Sequence, residues 1–193
     1  PAQKNNVVIL VDTSASQTGR YRAEQMAAVQ SMLATLSPSD RVELMAVDMK
    51  AVTLSTGFVG PQRPEIQAAV GRLNGRTPLG ATDLDAGVRM AAARFPNDGA
   101  ARTLIYIGDA MSKANMLTDG LLAKLVDELR GGQVSVSSYV VGQERNVQLM
   151  AALANHTGGL VQTDIAGVDA ASAGRLLAAS VHSSVIWPSE MTL

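Results

Sequence analysis

Cysteine is absent from this chain of 193 residues. That excludes disulfides, thiolate metal ligands and a cysteine nucleophile, and it says nothing of the compartment, because exported domains without disulfides are common. Histidine is nearly absent, at two residues, and no Gly-x-Ser-x-Gly sequence occurs. No nucleophile and base can be paired from such a set, and no enzyme is expected. Charged residues make up 17% of the chain and nearly cancel, to a formal net charge of -1, with no basic block. Neither nucleic acid nor an anionic membrane is therefore expected as a partner. No apolar run reaches the roughly 20 residues of a membrane span, and no membrane insertion is expected.

What the chain has is apolar content, 47% of it, in a length sufficient for one large domain with a well-buried core. A single domain over residues 1–185 is expected, with 186–193 an extended tail that leads toward a neighbouring domain. The chain begins at Pro1 rather than Met, which predicts a processed or excised piece.

Val7-Val8-Ile9-Leu10-Val11 is apolar without alternation and stops at Asp12-Thr13-Ser14-Ala15-Ser16. Such a run predicts a strand buried on both faces, in the centre of a parallel sheet. Thr103 to Gly108 repeats the pattern and ends at Asp109. Helical spacing predicts helices over 22–36, 65–73, 82–95, 117–129, 147–154 and 170–185, the last Ala-rich and carrying Leu176, Leu177, Val181 and Val185. Residues 41–47 and 51–54, separated by Asp48-Met49-Lys50, read as a hairpin with an antiparallel edge strand, and 134–141 and 160–163 as further strands. The alternation gives an α/β fold: a doubly wound, Rossmann-like, mostly parallel sheet with one antiparallel edge strand and helices on both faces.

Ligands of such sheets bind beyond the carboxyl ends of the strands. Asp12, Ser14, Ser16 and Asp109 lie there, and Thr82 opens a helix after a flexible loop. All five side chains offer oxygen alone, the donor set of a hard divalent cation, Mg²⁺ first and Mn²⁺ or Ca²⁺ as alternatives. Asp12-x-Ser14-x-Ser16, then Gly80-Ala81-Thr82-Asp83-Leu84, then Asp109 resembles the von Willebrand factor type A domain, whose metal-ion-dependent adhesion site reads Asp-x-Ser-x-Ser, Thr, Asp. The resemblance runs from about Asn6 to about Thr163. It implies a protein-binding module in which the cation takes an acidic side chain of a partner protein, or of a neighbouring domain of the same polypeptide. It also favours an extracytoplasmic or cell-surface setting. One departure stands out: the family often has Gly after the last Asp, and here the residue is Ala110, which could restrict the loop.

Other readings compete. Thr82-Asp83-Leu84-Asp85 fits a capping box with Asp in place of Glu or Gln, and Asp109 fits a surface turn. Thr77 is the second choice for the Thr ligand, and Leu117-Thr118-Asp119-Gly120 mimics the last motif inside a helical pattern. Gly75 to Thr82 has the glycine spacing of a phosphate loop but Ala81 where that loop needs Lys. Asp48, Asp83 and Asp85 are expected at solvated turns and helix starts, His156 at a helix C-terminus, and His182 on the last helix without a partner. A second function follows from the resemblance: a subunit of an intracellular assembly working with an ATPase, as in metal-chelatase-like systems, toward which Thr77-Pro78-Leu79 leans. A third is a Mg²⁺-dependent phosphohydrolase with Asp12 as nucleophile. Such enzymes need an acid or base two residues on, where this chain has Ser14.

Overall fold

The computed structural model describes residues 4–164 and 169–187. Strand β1 (Asn5–Asp12) is buried along its whole length. The remaining elements follow as α1 (Arg20–Thr35), β2 (Arg41–Val47), β3 (Ala51–Thr53), α2 (Pro64–Asn74), α3 (Leu84–Ala92), β4 (Ala101–Gly108), α4 (Asp119–Gly131), β5 (Val134–Val140), α5 (Val147–Thr157), β6 (Val161–Thr163) and α6 (Ala170–Ser180). The sheet order is β3-β2-β1-β4-β5-β6, with every pairing parallel except β2 to β3.

Both faces of the sheet are covered, which is why its central strands are apolar without alternation. Val7, Ile9 and Val11 face α1, α2 and α6 through Val29, Met32, Ile66, Leu73 and Leu177. Val8 and Leu10 face α3, α4 and α5 through Leu84, Val88, Leu125, Met150 and Leu153. Each such side chain contributes about 1.5–3 kcal/mol of transfer free energy on burial. From β1 the chain winds to β2 on one side and later returns to place β4 on the other. That reversal makes the carboxyl ends of β1 and β4 the switch point of the sheet, where a doubly wound fold opens its crevice.

Several element ends differ from the sequence expectation, α3 stopping at Ala92 rather than 95 and α5 running on to Thr157 among them. Helix α6 stops at Ser180, so Val185 lies outside it. Its side chain fills the space over Gly158, the left-handed residue that ends α5, where an added Cβ would come within 2.7 Å of Val185 Cγ1. Helix α3 starts at Leu84 rather than Thr82, capped by the Asp83 side chain on the Ala86 amide at 3.0 Å. The Leu117-Thr118-Asp119-Gly120 look-alike is a helix start, with Thr118 the cap of α4. Pro188 and the rest of the expected tail, like Pro1, lie outside the described residues.

Helices α1 and α6 cross closely. A Cβ added at Gly174 would stand 2.3 Å from the Ala28 carbonyl oxygen, and the Ser31 hydroxyl donates to the Ala171 carbonyl at 2.7 Å. Gly174→Ala is expected to destabilise the chain by about 1–3 kcal/mol in urea unfolding. Gly71→Ala, at an exposed position of α2 with nothing within 4 Å, is expected to stabilise it by about 0.5–1 kcal/mol. Equal effects at the two sites would contradict the close crossing.

Candidate functional site

Backbone hydrogen bonds draw three loops and the end of β2 together above the switch point. Thr13 N–H donates to Val47 O at 2.7 Å, Leu79 N–H to Thr13 O at 3.1 Å, Ala15 N–H to Gly80 O at 3.0 Å and Ala114 N–H to Thr82 O at 3.1 Å. With the loops so fixed, the five oxygen-bearing residues form one hydrogen-bonded cluster. The Thr82 hydroxyl reaches the Asp12 carboxylate at 3.0 and 3.1 Å, and the Ser14 amide donates to Asp12 Oδ1 at 2.8 Å. Ser14 Oγ and Ser16 Oγ are 3.0 Å apart, and the Ser16 hydroxyl donates to Asp109 Oδ2 at 2.5 Å. Asp12, Ser14, Thr82 and Asp109 are buried, and Ser16 is the exposed member through which the cluster meets solvent. Thr82 caps no helix; its hydroxyl goes to Asp12 instead.

Among the described residues, five carboxylates are buried: Asp12, Asp40, Glu43, Asp85 and Asp109. Three have a basic partner. Arg94 meets Glu43 at 2.9 Å, Arg89 meets Asp85 at 3.0 Å, and His182 meets Asp40 at 3.2 Å. Asp12 and Asp109 have none; their contacts are hydroxyls and backbone amides alone. Burial, and then the nearby Asp109 charge, push the Asp12 carboxyl up to about 6 against the pull of Ser14 and Tyr106. Burying unpaired charge is costly, so the cluster as it stands is short of positive charge. Two carboxylates and three hydroxyls, with no imidazole or thiolate, suit a hard divalent cation in charge and in donor type. No group of three or more His, Cys, Asp and Glu side chains with metal-binding geometry occurs among the described residues, so a cation here would rely on hydroxyl and water oxygens.

Tyr106, read from the sequence only as part of a strand, belongs to the site. Its buried hydroxyl donates to Asp12 Oδ2 at 2.9 Å and accepts from the Ala110 amide at 3.1 Å. Burial and the Asp12 charge hold the phenol well above its ordinary value, so it stays a donor. Its ring explains Gly108, where a Cβ would fall 2.5 Å from the tyrosine oxygen and 2.4 Å from Asp12 Cβ. Ala110 adopts φ 59, a conformation costing a side-chain-bearing residue about 1–2 kcal/mol. The loop is thus held in the shape glycine would take freely, in part by the Tyr106 hydroxyl. The polar tip in an otherwise apolar run was the available signal.

The remaining residues sort themselves. Thr77 is exposed and lies outside the cluster. Asp48 accepts from Thr13 Oγ1 at 3.0 Å and Arg76 Nη2 at 2.6 Å; burial acts to raise its carboxyl, but Arg76 and Thr13 outweigh it and hold it below its ordinary value. Asp85 is buried against Arg89, not solvated. His156 lies in the last turn of α5, as expected. His182 lies beyond α6 and has partners after all, Asp40 and the Asn5 side chain at 3.2 Å. A cavity of about 620 Å³ is at the opposite edge of the sheet, lined in part by Arg102, Gln133 and Trp187. None of the five residues borders that cavity.

Residues 5–163 match the family profile described as von Willebrand factor type A domain. No curated protein sequence matches the chain. Among solved structures, a von Willebrand factor type A protein from Catenulispora acidiphila is similar at TM-score 0.81 and 16% identity, over 93% of this chain and 43% of that one. This chain thus spans less than half the length of that protein. An aerotolerance-related membrane protein from Bacteroides fragilis is similar at TM-score 0.74 and 14% identity, over 92% and 98% of the two chains. Proximal thread matrix protein 1 from the mussel byssus, solved with a zinc-occupied MIDAS motif, is similar at TM-score 0.68 and 14% identity, over 94% and 46%. At these identities the likeness is one of fold.

A pH dependence follows from Asp12. Its carboxyl is easier to protonate in the folded chain, near 6, than at its ordinary 3.8, so its stabilising contribution is fully present below 3.8 and lost as pH rises through 6. In metal-stripped protein, the thermal midpoint of the wild type is expected to fall from about pH 5 to pH 7 relative to Asp12→Asn. A wild-type midpoint that rises relative to the variant over that interval contradicts the unpaired buried carboxylate.

Proposed function

Because the chain belongs to the von Willebrand factor type A domain family, a family of interaction modules, we propose that it binds a protein partner through a divalent cation held by Asp12, Ser14, Ser16, Thr82 and Asp109. Mg²⁺ is the first choice, with Mn²⁺ and Ca²⁺ as alternatives. One observation carries the reading: Asp12 and Asp109 are the buried carboxylates without a basic partner, while Asp40, Glu43 and Asp85 each have one. A cation in the cluster, when bound, supplies the missing charge and an attachment point for an anionic oxygen. With two carboxylates and three neutral hydroxyls around it, such an ion keeps affinity for one further carboxylate, from a partner or from a neighbouring domain. The zinc-occupied motif of the mussel protein supports a divalent ion at this place in the fold.

The surface around the notch also supports a protein partner. Of the large apolar side chains exposed on the described surface, Met49, Leu79 and Met116 stand on the loops at the carboxyl edge of the sheet. Leu79 is anchored through its amide to Thr13, and Met49 lies against Gly80. Exposed apolar side chains gathered at one edge supply the kind of surface that protein partners cover. Binding is favoured over phosphoryl transfer because the Asp12 carboxylate is buried and already accepts from Ser14, Thr82 and Tyr106, which suits a fixed ligand better than a nucleophile.

Thermal melts of metal-stripped protein test this. A cation that binds only the folded chain, at about a hundred times its dissociation constant, adds roughly 2.7 kcal/mol of stability. The wild-type midpoint is expected to rise with Mg²⁺ or Mn²⁺ while that of Asp12→Ala stays put. No shift in the wild type, with or without added acetate to complete the shell, counts against the reading; so does partner binding that survives EDTA.

A further inference from the structure

Helix α1 buries Gln25, Ala28, Val29, Met32 and Leu33 along one stripe. Gln25 is the polar member, fully buried, where an unsatisfied amide costs several kcal/mol by the harsher transfer scales. Its Nε2 lies 3.0 Å from Asp12 O, 3.3 Å from Ile107 O and 2.8 Å from Gln17 Oε1. Peptide carbonyls only accept, so the NH₂ must face them, and its two protons are shared among three acceptors. Gln25 Oε1 in turn accepts from Arg22 Nη1 at 3.3 Å.

The orientation of Gln17 follows. It is also fully buried, and because its Oε1 accepts from Gln25, its NH₂ faces Val141 O at 3.4 Å and Ser16 Oγ at 3.5 Å. The Ser16 hydroxyl spends its own proton on Asp109 Oδ2 at 2.5 Å. A directed chain of hydrogen bonds therefore runs Gln25 to Gln17 to Ser16 to Asp109. The same two amides hold carbonyls at the ends of β1, β4 and just beyond β5. Those strand ends carry or flank Asp12 and Asp109.

We infer that Gln25, acting through Gln17, is a positioning residue for the cation site: it fixes the spacing of the Asp12 and Asp109 strand ends and aims the Ser16 hydroxyl. The inference rests on the cation site proposed above. A core glutamine that merely satisfied stray carbonyls would affect stability alone. A positioning residue affects the affinity of the folded protein for the ion as well, since partners behind metal ligands commonly account for about 10- to 100-fold in affinity.

The test is calorimetric titration of metal-stripped protein with Mn²⁺, at a temperature where circular dichroism shows each variant folded. Gln25→Met keeps the length of the side chain and removes the amide. It is expected to weaken Mn²⁺ binding about 10-fold or more. Leu129→Ala, a buried α4 residue in the layer on the other face of the sheet, is expected to lower the melting midpoint and leave Mn²⁺ affinity unchanged. Gln17→Met repeats the measurement from the loop side, should Gln25→Met not fold. The double variant is expected to lose little beyond the worse single one, because both amides act along one chain. Wild-type affinity in folded Gln25→Met or Gln17→Met overturns the positioning role while leaving the cation site standing. Failure of the wild type to bind Mn²⁺ overturns the cation site, and the positioning role with it.

Discussion

The architecture at the carboxyl edge depends on one unfavourable arrangement: two buried carboxylates, Asp12 and Asp109, joined through hydroxyls and, among the described residues, in direct ion-pair contact with no basic side chain, Arg22 and Lys113 acting on them only from a distance. Paired acids elsewhere in the chain show that the fold can supply a base where it needs one, as Arg94 does for Glu43. Here it supplies neutral donors. Hydroxyls and amides orient the carboxylates without neutralising them, and burial, with the Asp109 charge second, pushes Asp12 up to about 6. A protein can keep such a site only if surrounding structure holds it in place.

That support comes from three levels. Sheet topology brings the ends of β1 and β4 side by side at the switch point. Beneath the acids, Tyr106 fills the space left by Gly108, donates to Asp12 and steadies the left-handed Ala110. From α1, Gln25 and Gln17 tie together the carbonyls of the strand ends. The fold is what makes the charge deficit at the two acids tolerable.

The sheet was legible in the sequence because burial on both faces leaves a mark, the unalternated runs at Val7 to Val11 and Leu104 to Ile107. The antiparallel edge was legible from the short linker Asp48-Met49-Lys50. Asp12 and Asp109 were conspicuous for the same reason, each ending an apolar strand. Residues whose role depends on what faces them were not. Gln25 follows the helical stripe of α1 and shows only as a polar interruption of it, and Tyr106 passes for an ordinary strand aromatic. The cap of α3 was misplaced by one residue because Thr82 and Asp83 have similar capping propensity; the competing acceptor, Asp12, is 70 residues away. The end of α6 was overrun because Val185 keeps helical spacing, and its packing on Gly158 is a tertiary contact. His182 finds Asp40 for the same nonlocal reason.

The central claim is that the unpaired carboxylates await a cation, and proton release tests it most directly. Mn²⁺ is titrated calorimetrically into metal-stripped protein, in buffers of differing ionisation enthalpy, at pH 6 and again at pH 8. With the Asp12 carboxyl raised to about 6, the account predicts one ion per chain, with proton release at pH 6 that falls away toward pH 8. Binding without that pH-dependent release, or no binding at either pH, would contradict it.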